Sequence, residues 1–291
     1  MQKFKFLFIY ILISQFLFVS CSSEVQNDVV EPINALNVFD VSYGANSQQV
    51  YDIYLPAGRS AMKTKVIMLI HGGGWTSGDK SDMNDFIQFI QQSHPDHAIV
   101  NMNYVLADLT TAAFPHQFLD VQRVIEKLKQ EKNELQILPE FALIGTSAGA
   151  HIALQYDYVY DISDDVKMVC DIVGPSDFTD PFFSEDPAFN ILLSLLIDES
   201  AYPAGTNFVE EVSPAIRVSS MSSPSILFYG DADPLVPLTN GQRLQTALSN
   251  AGVTHSFTIY EGGHGDDWSE TNILDLKSKI SSFINTFLTV E

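Results

Sequence analysis

LIGTSAGAHIAL, residues 143–154, runs from apolar positions into Gly145-Thr146-Ser147-Ala148-Gly149 and out again into an apolar, helix-forming pattern. The G-x-S-x-G spacing alone arises readily by chance, so its position carries the information. A strand that turns sharply into a helix forces the corner residue into strained backbone geometry, and glycines on both sides make room for neighbouring elements. Ser147 stands at such a corner. Its hydroxyl would project from a sheet, and the helix starting at Ala148 would aim free backbone N–H groups at a developing oxyanion. An ordinary serine where a strand happens to meet a helix is the alternative.

On either side of this stretch, short β-type runs alternate with helical patterns. QQVYDIYLP (48–56), KVIMLI (65–70), HAIVNMNY (97–104), EFALIG (140–145), VKMVCDIV (166–173), SILFYG (225–230) and THSFTIY (254–260) read as strands. DMNDFIQFIQQ, HQFLDVQRVIEKLKQE, AHIALQYDYV, GQRLQTALSNAG and NILDLKSKISSFINTFL place apolar residues at helical spacing between or after them. That alternation predicts an α/β fold with a mainly parallel, twisted sheet and helices on both faces. The interval 175–223 breaks the rhythm, being rich in proline and phenylalanine, and reads either as a surface excursion or as a cap over a pocket.

Reactive groups in such sheets gather at the carboxyl ends of strands. Four strand ends here supply His71-Gly72-Gly73-Gly74-Trp75, then Ser147, then Asp231-Ala232-Asp233-Pro234, then Gly262-Gly263-His264-Gly265. A serine hydroxyl needs a base, and the base an orienting acid. His264, flanked by glycines in a loop, is the base expected among seven histidines; His71 is read as a brace for its own loop. Asp233, ahead of a rigid Pro-Leu-Val-Pro turn, is the acid, with Asp231 read as a turn residue. Three consecutive glycines cost backbone entropy and have no packing value. Gly73 and Gly74, with Ala148, are therefore the expected oxyanion donors, while Trp75 is either a pocket wall or core.

A chain of 291 residues, 46% of them hydrophobic, suffices for one large core. With 15 basic against 36 acidic residues and a formal charge of −21, it repels phosphate backbones, which argues against nucleic-acid binding and against a highly anionic polymer as substrate. Residues 1–20 differ from the rest: MQKFK is positive and FLFIYILISQFLFVS is almost wholly apolar, as in an export signal. The apolar run falls short of the ~20 residues that a membrane span needs. Cys21, in LFVSCSS, looks like the cysteine of a bacterial lipobox, which would make residue 21 the lipid attachment site and place the protein, exported, on a bacterial cell membrane. Residues 21–38 then serve as a tether, and the folded domain starts at 39 and runs to 291. Cys170, the other cysteine, reads as a small buried hydrophobe.

Taken together, IHGGGW with Gly78-Asp79-Lys80, LIGTSAGAHIAL, LFYGDADPLVP and EGGHG resemble the α/β-hydrolase superfamily, specifically bacterial feruloyl and acetyl xylan esterase type hydrolases with an HGGGW oxyanion loop. The order Ser147, Asp233, His264 matches that fold. The resemblance, over residues 40–290, implies nucleophile, acid and base roles for these three, no metal and no organic cofactor. It implies hydrolysis of short or medium acyl esters, small-molecule or polysaccharide-linked, through an acyl-enzyme on Ser147. Amide hydrolysis by the same triad, or a non-catalytic binding module, are the alternatives. Ala150 and Tyr229 depart from the commoner family residues, and neither removes a reacting group.

Overall fold

The computed structural model describes residues 33–290. The signal segment, Cys21 and most of the expected tether lie outside the described residues. Eight strands form one sheet: β1 (Leu36–Ser42), β2 (Val50–Leu55), β3 (Val66–Ile70), β4 (Ala98–Met102), β5 (Phe141–Thr146), β6 (Val166–Ile172), β7 (Ser225–Gly230) and β8 (His255–Tyr260). Their order is β1-β2-β4-β3-β5-β6-β7-β8, with β1 and β2 antiparallel to their neighbours and every pairing from β4 to β8 parallel.

The helices are α1 (Asn84–Ser93), α2 (His116–Leu135), α3 (Ala148–Gln155), α4 (Pro181–Ser184), α5 (Pro187–Leu196), α6 (Phe208–Glu211), α7 (Pro214–Arg217), α8 (Leu238–Ala251) and α9 (Glu270–Phe287). Strand alternation sorts them. Val66, Met68 and Ile70 of β3 pack with residues of α2, α3 and α8, whereas Ile67 and Leu69 pack with Ile87 and Ile90 of α1 and Leu276, Ile280 and Ile284 of α9. Both sheet faces are thus covered, which is why the central strands are continuously apolar rather than alternating.

Two expectations change. The tether was placed through residue 38, but Leu36, Asn37 and Val38 already pair with β2. This edge strand escaped a periodicity argument because its side chains are almost all exposed, so backbone pairing holds it rather than an apolar face. The interval 175–223 carries α4 to α7 and packs on the side of α2, α3 and α8: Phe178 meets the rings of Trp75 and His151, and His151 Nε2 donates to Val212 O at 2.8 Å.

Beneath the strand ends, β6 and β7 are tied by a buried polar cluster. Tyr229 Oη lies 2.6 Å from both Asp171 Oδ2 and Gly174 O, and Asp171 Oδ1 accepts from Gly174 N at 2.8 Å. One phenolic proton cannot serve two acceptors. A protonated Asp171 resolves this, donating to Tyr229 Oη while the phenol donates to Gly174 O. Burial acts the same way, pushing the Asp171 carboxyl up to about 7. A carboxyl whose pKa is higher folded than unfolded favours the folded state while protonated in both, and that advantage is lost as pH rises from the unfolded value through the folded one. Relative to Asp171→Asn, whose amide can repeat both hydrogen bonds without titrating, the parent should lose stability between about pH 4 and 7 in urea melts. Parallel pH dependences in the two proteins would refute a protonated Asp171.

Candidate active site

At the end of β5 the chain turns into α3 at Ser147, whose φ of 50° and ψ of −119° lie where residues with a Cβ rarely go. Two close approaches hold it there. A Cβ on Gly149 would lie 2.2 Å from Ile70 O and 2.4 Å from His71 O, and one on Gly145 would lie 2.4 Å from the α3 backbone. The helix can sit against the ends of β3 and β5 only because neither residue has a side chain. Ser147 N donates to Ile172 O at 2.8 Å, fastening the corner to β6 as well.

The structure brings Ser147, His264 and Asp233 together. His264 Nε2 is 2.8 Å from Ser147 Oγ and its Nδ1 is 2.6 Å from Asp233 Oδ2. For Nδ1 to donate to a carboxylate, Nε2 must be the unprotonated nitrogen that accepts from the serine hydroxyl. Asp233 Oδ1 accepts from Leu235 N at 2.7 Å and Val236 N at 3.0 Å. Burial alone would raise the Asp233 pKa; the bonds from His264, Val236 and Leu235 outweigh it and hold the carboxyl below its usual range, so it stays charged. Asp231 is exposed and accepts from Gly262 N at 3.0 Å, joining the acid loop to the base loop.

Gly72-Gly73-Gly74 lies beside the corner: a Cβ on Gly72 would be 3.3 Å from Ser147 Cβ. Among the described residues, none of the backbone N–H groups of Gly73, Gly74 and Ala148 has a protein acceptor. The loop is fastened from behind. His71 stacks on Tyr104 with ring centres 4.3 Å apart, and its Nδ1 donates to Gly72 O at 2.7 Å. Burial lowers its pKa, keeping the ring neutral. Lys80 reaches Asp40 of β1 and Asp52 of β2, while Asp79 accepts from Asn103 Nδ2 at 2.8 Å, so Gly78-Asp79-Lys80 pins the loop to the antiparallel edge. Trp75 is buried, donates Nε1 to His151 Nδ1 at 3.1 Å and belongs to the core.

A pocket of about 320 Å³ opens onto Ser147 and His264. Its apolar walls are Phe86 from α1, Ile172 and Val173 at the end of β6, and Trp268, Ile273 and Leu276 from α9 and its approach. No residue of 175–223 lines it, so that interval does not cap this pocket. Thr146, which the sequence left without a role, does line it. The α1 and α9 walls escaped sequence reasoning because both helices have the ordinary amphipathic pattern; only Trp268, four residues after His264, lay close to a recognised motif. Among the described residues no three His, Cys, Asp or Glu side chains cluster as metal ligands. Nor does any described helix have the length and apolarity to cross a membrane.

The family model BD-FAE matches residues 51–248. No curated protein matches the chain. Among solved structures, esterase 2 of Thermogutta terrifontis phosphonylated by sarin superposes with a TM-score of 0.72 at 18% identity, covering 88% of this chain and 96% of that one. A truncated carbohydrate esterase from gut microbiota gives 0.68 at 20%, covering 86% and 97%. An acetyl ester-xyloside bifunctional hydrolase from Caldicellulosiruptor lactoaceticus gives 0.67 at 18%, covering 89% and 98%. These superpositions establish a shared fold.

Gly73 and Gly74, the two loop glycines expected to donate, should respond differently to substitution. Gly73 has φ 113° and a Cβ there would lie 2.0 Å from Ser77 O, whereas Gly74, at φ 57°, faces open space. Gly73→Ala must displace the loop and should cost roughly 100-fold or more in kcat, the range seen when an oxyanion donor is lost. Gly74→Ala meets only the local backbone penalty of about 1–2 kcal/mol and should keep most of its activity. Equal losses in ester-hydrolysis assays would refute this account of the loop.

Proposed function

The chain belongs to the BD-FAE family, and on that premise we propose that it hydrolyses carboxylic esters, among them short acyl or aromatic acyl groups carried on polysaccharides. The observation that carries this reading is the continuous path from Asp233 through His264 to Ser147 Oγ, at 2.6 and 2.8 Å, beside three unengaged N–H donors. Ser147 Oγ attacks the acyl carbon as His264 Nε2 takes its proton, and Asp233 stabilises the resulting imidazolium. The oxyanion is held by Gly73, Gly74 and Ala148. His264 then protonates the leaving alcohol, and water repeats the cycle on the acyl-enzyme.

A pocket of about 320 Å³ is near the small end of ligand sites and suits an acetyl group or a single aromatic ring rather than a long fatty chain. The names of two structural neighbours, a carbohydrate esterase and an acetyl ester-xyloside hydrolase, support a sugar-borne ester. The charged-then-apolar start of the chain and Cys21 support export and attachment to a membrane through lipid on that cysteine.

Purified protein should cleave nitrophenyl acetate and fail on aminopeptide anilides, and Ser147→Ala should lose about a thousandfold or more of the ester rate. Preference for the anilides would replace this reading with an amidase; undiminished ester hydrolysis by Ser147→Ala would remove Ser147 as nucleophile.

A further inference from the structure

Helices α1 and α9 share one face of the sheet, each burying an apolar stripe against it. Between their outer flanks lies a crevice of about 640 Å³, twice the volume of the pocket beside Ser147. Asp85 and Lys277 border both spaces, so the crevice runs on directly from the catalytic pocket. Its chemistry differs. Where the pocket is walled by aliphatic and aromatic groups, the crevice presents Gln88 and Gln92 from α1 and Ser278 and Ser281 from α9.

Carboxamides and hydroxyls both donate and accept, as sugar hydroxyls require. Gln88 and Gln92 stand one turn apart on the same flank as Asp85, and the run from 85 to 92 rises about 10 Å, the reach of a short oligosaccharide. Phe89 adds a half-buried ring, with Lys277 Nζ 5.9 Å from its centre. Lys277 is the one cation lining the crevice, in a chain whose formal charge is −21, so a polyanionic chain would be repelled and a neutral one would not.

We propose that the α1–α9 crevice is the subsite for a neutral glycan chain whose ester sits at Ser147, the chain passing between Asp85 and Lys277 and lying along Gln88, Gln92, Ser278 and Ser281. This rests on the ester-hydrolase reading above.

Two variants test it: Ser281→Trp, which fills the crevice, and the double variant Gln88→Ala/Gln92→Ala, which removes hydrogen-bonding groups from exposed positions without adding bulk. Each is assayed on acetylated neutral xylo-oligosaccharides and on nitrophenyl acetate. Both variants should raise KM for the oligosaccharide about tenfold, as expected for a few lost hydrogen bonds, with kcat and all nitrophenyl acetate parameters unchanged. Unaltered oligosaccharide kinetics in both variants, or equal losses on both substrates, would overturn the subsite. A parent enzyme that cleaves nitrophenyl acetate but no glycan ester, or that prefers an esterified polyuronate, would overturn the glycan assignment while leaving ester hydrolysis standing. Failure on every ester would remove the underlying reading and the subsite with it.

Discussion

The backbone at Ser147 is the constraint on which the rest of the site depends. Holding a residue with a Cβ in so sparsely populated a backbone region costs on the order of 1–3 kcal/mol and persists only where surrounding contacts over-determine it. Here the contacts are backbone against backbone: α3 rests on the ends of β3 and β5 at Gly149 and Gly145, and Ser147 N is bonded to Ile172 O. The strained corner lifts Oγ clear of the sheet to meet His264, and it leaves the first N–H of α3, at Ala148, without an intrahelical partner. The proposed nucleophile and the proposed oxyanion donor thus arise from one local geometry.

The remaining parts are held by pairings that cross the sheet. Asp233 keeps its charge because three donors compensate for its burial, and that charge fixes which nitrogen of His264 faces the serine. The glycine loop is held by a neutral His71 stacked on Tyr104 and by Lys80 between two aspartates on the antiparallel edge. Deeper, the Asp171–Tyr229–Gly174 cluster steadies the turn after β6, where Val173 adopts φ 51° and lines the pocket. Charge is kept at Asp233, where three donors face the carboxylate, and is suppressed by burial at Asp171.

What could be read from the sequence follows the range of the interactions. The strand-to-helix corner, the triple-glycine loop and the two loops carrying Asp233 and His264 are local patterns at the ends of continuous apolar runs, and the alternation of runs foretold a parallel sheet with helices on both faces. Strand β1 was missed because nothing in an exposed edge strand repeats with period two. The pocket was missed because its walls come from α1 and α9, nearly two hundred residues apart, through apolar residues that a hydrophobic pattern assigns simply to the core. The interval 175–223 stood out by composition, yet composition does not say on which side of the sheet a segment packs, and Trp75 with His151 draws it to the side away from the pocket walls.

The central claim is that one serine among many is made nucleophilic by its position. Reaction of the protein with a small organophosphonate, followed by intact-mass and peptide mass spectrometry, tests this most directly. The account predicts one adduct per chain, on the peptide carrying Ser147, with labelling strongly slowed in His264→Ala. Adducts spread over several serines, no adduct at all, or a labelling rate indifferent to His264 would contradict it.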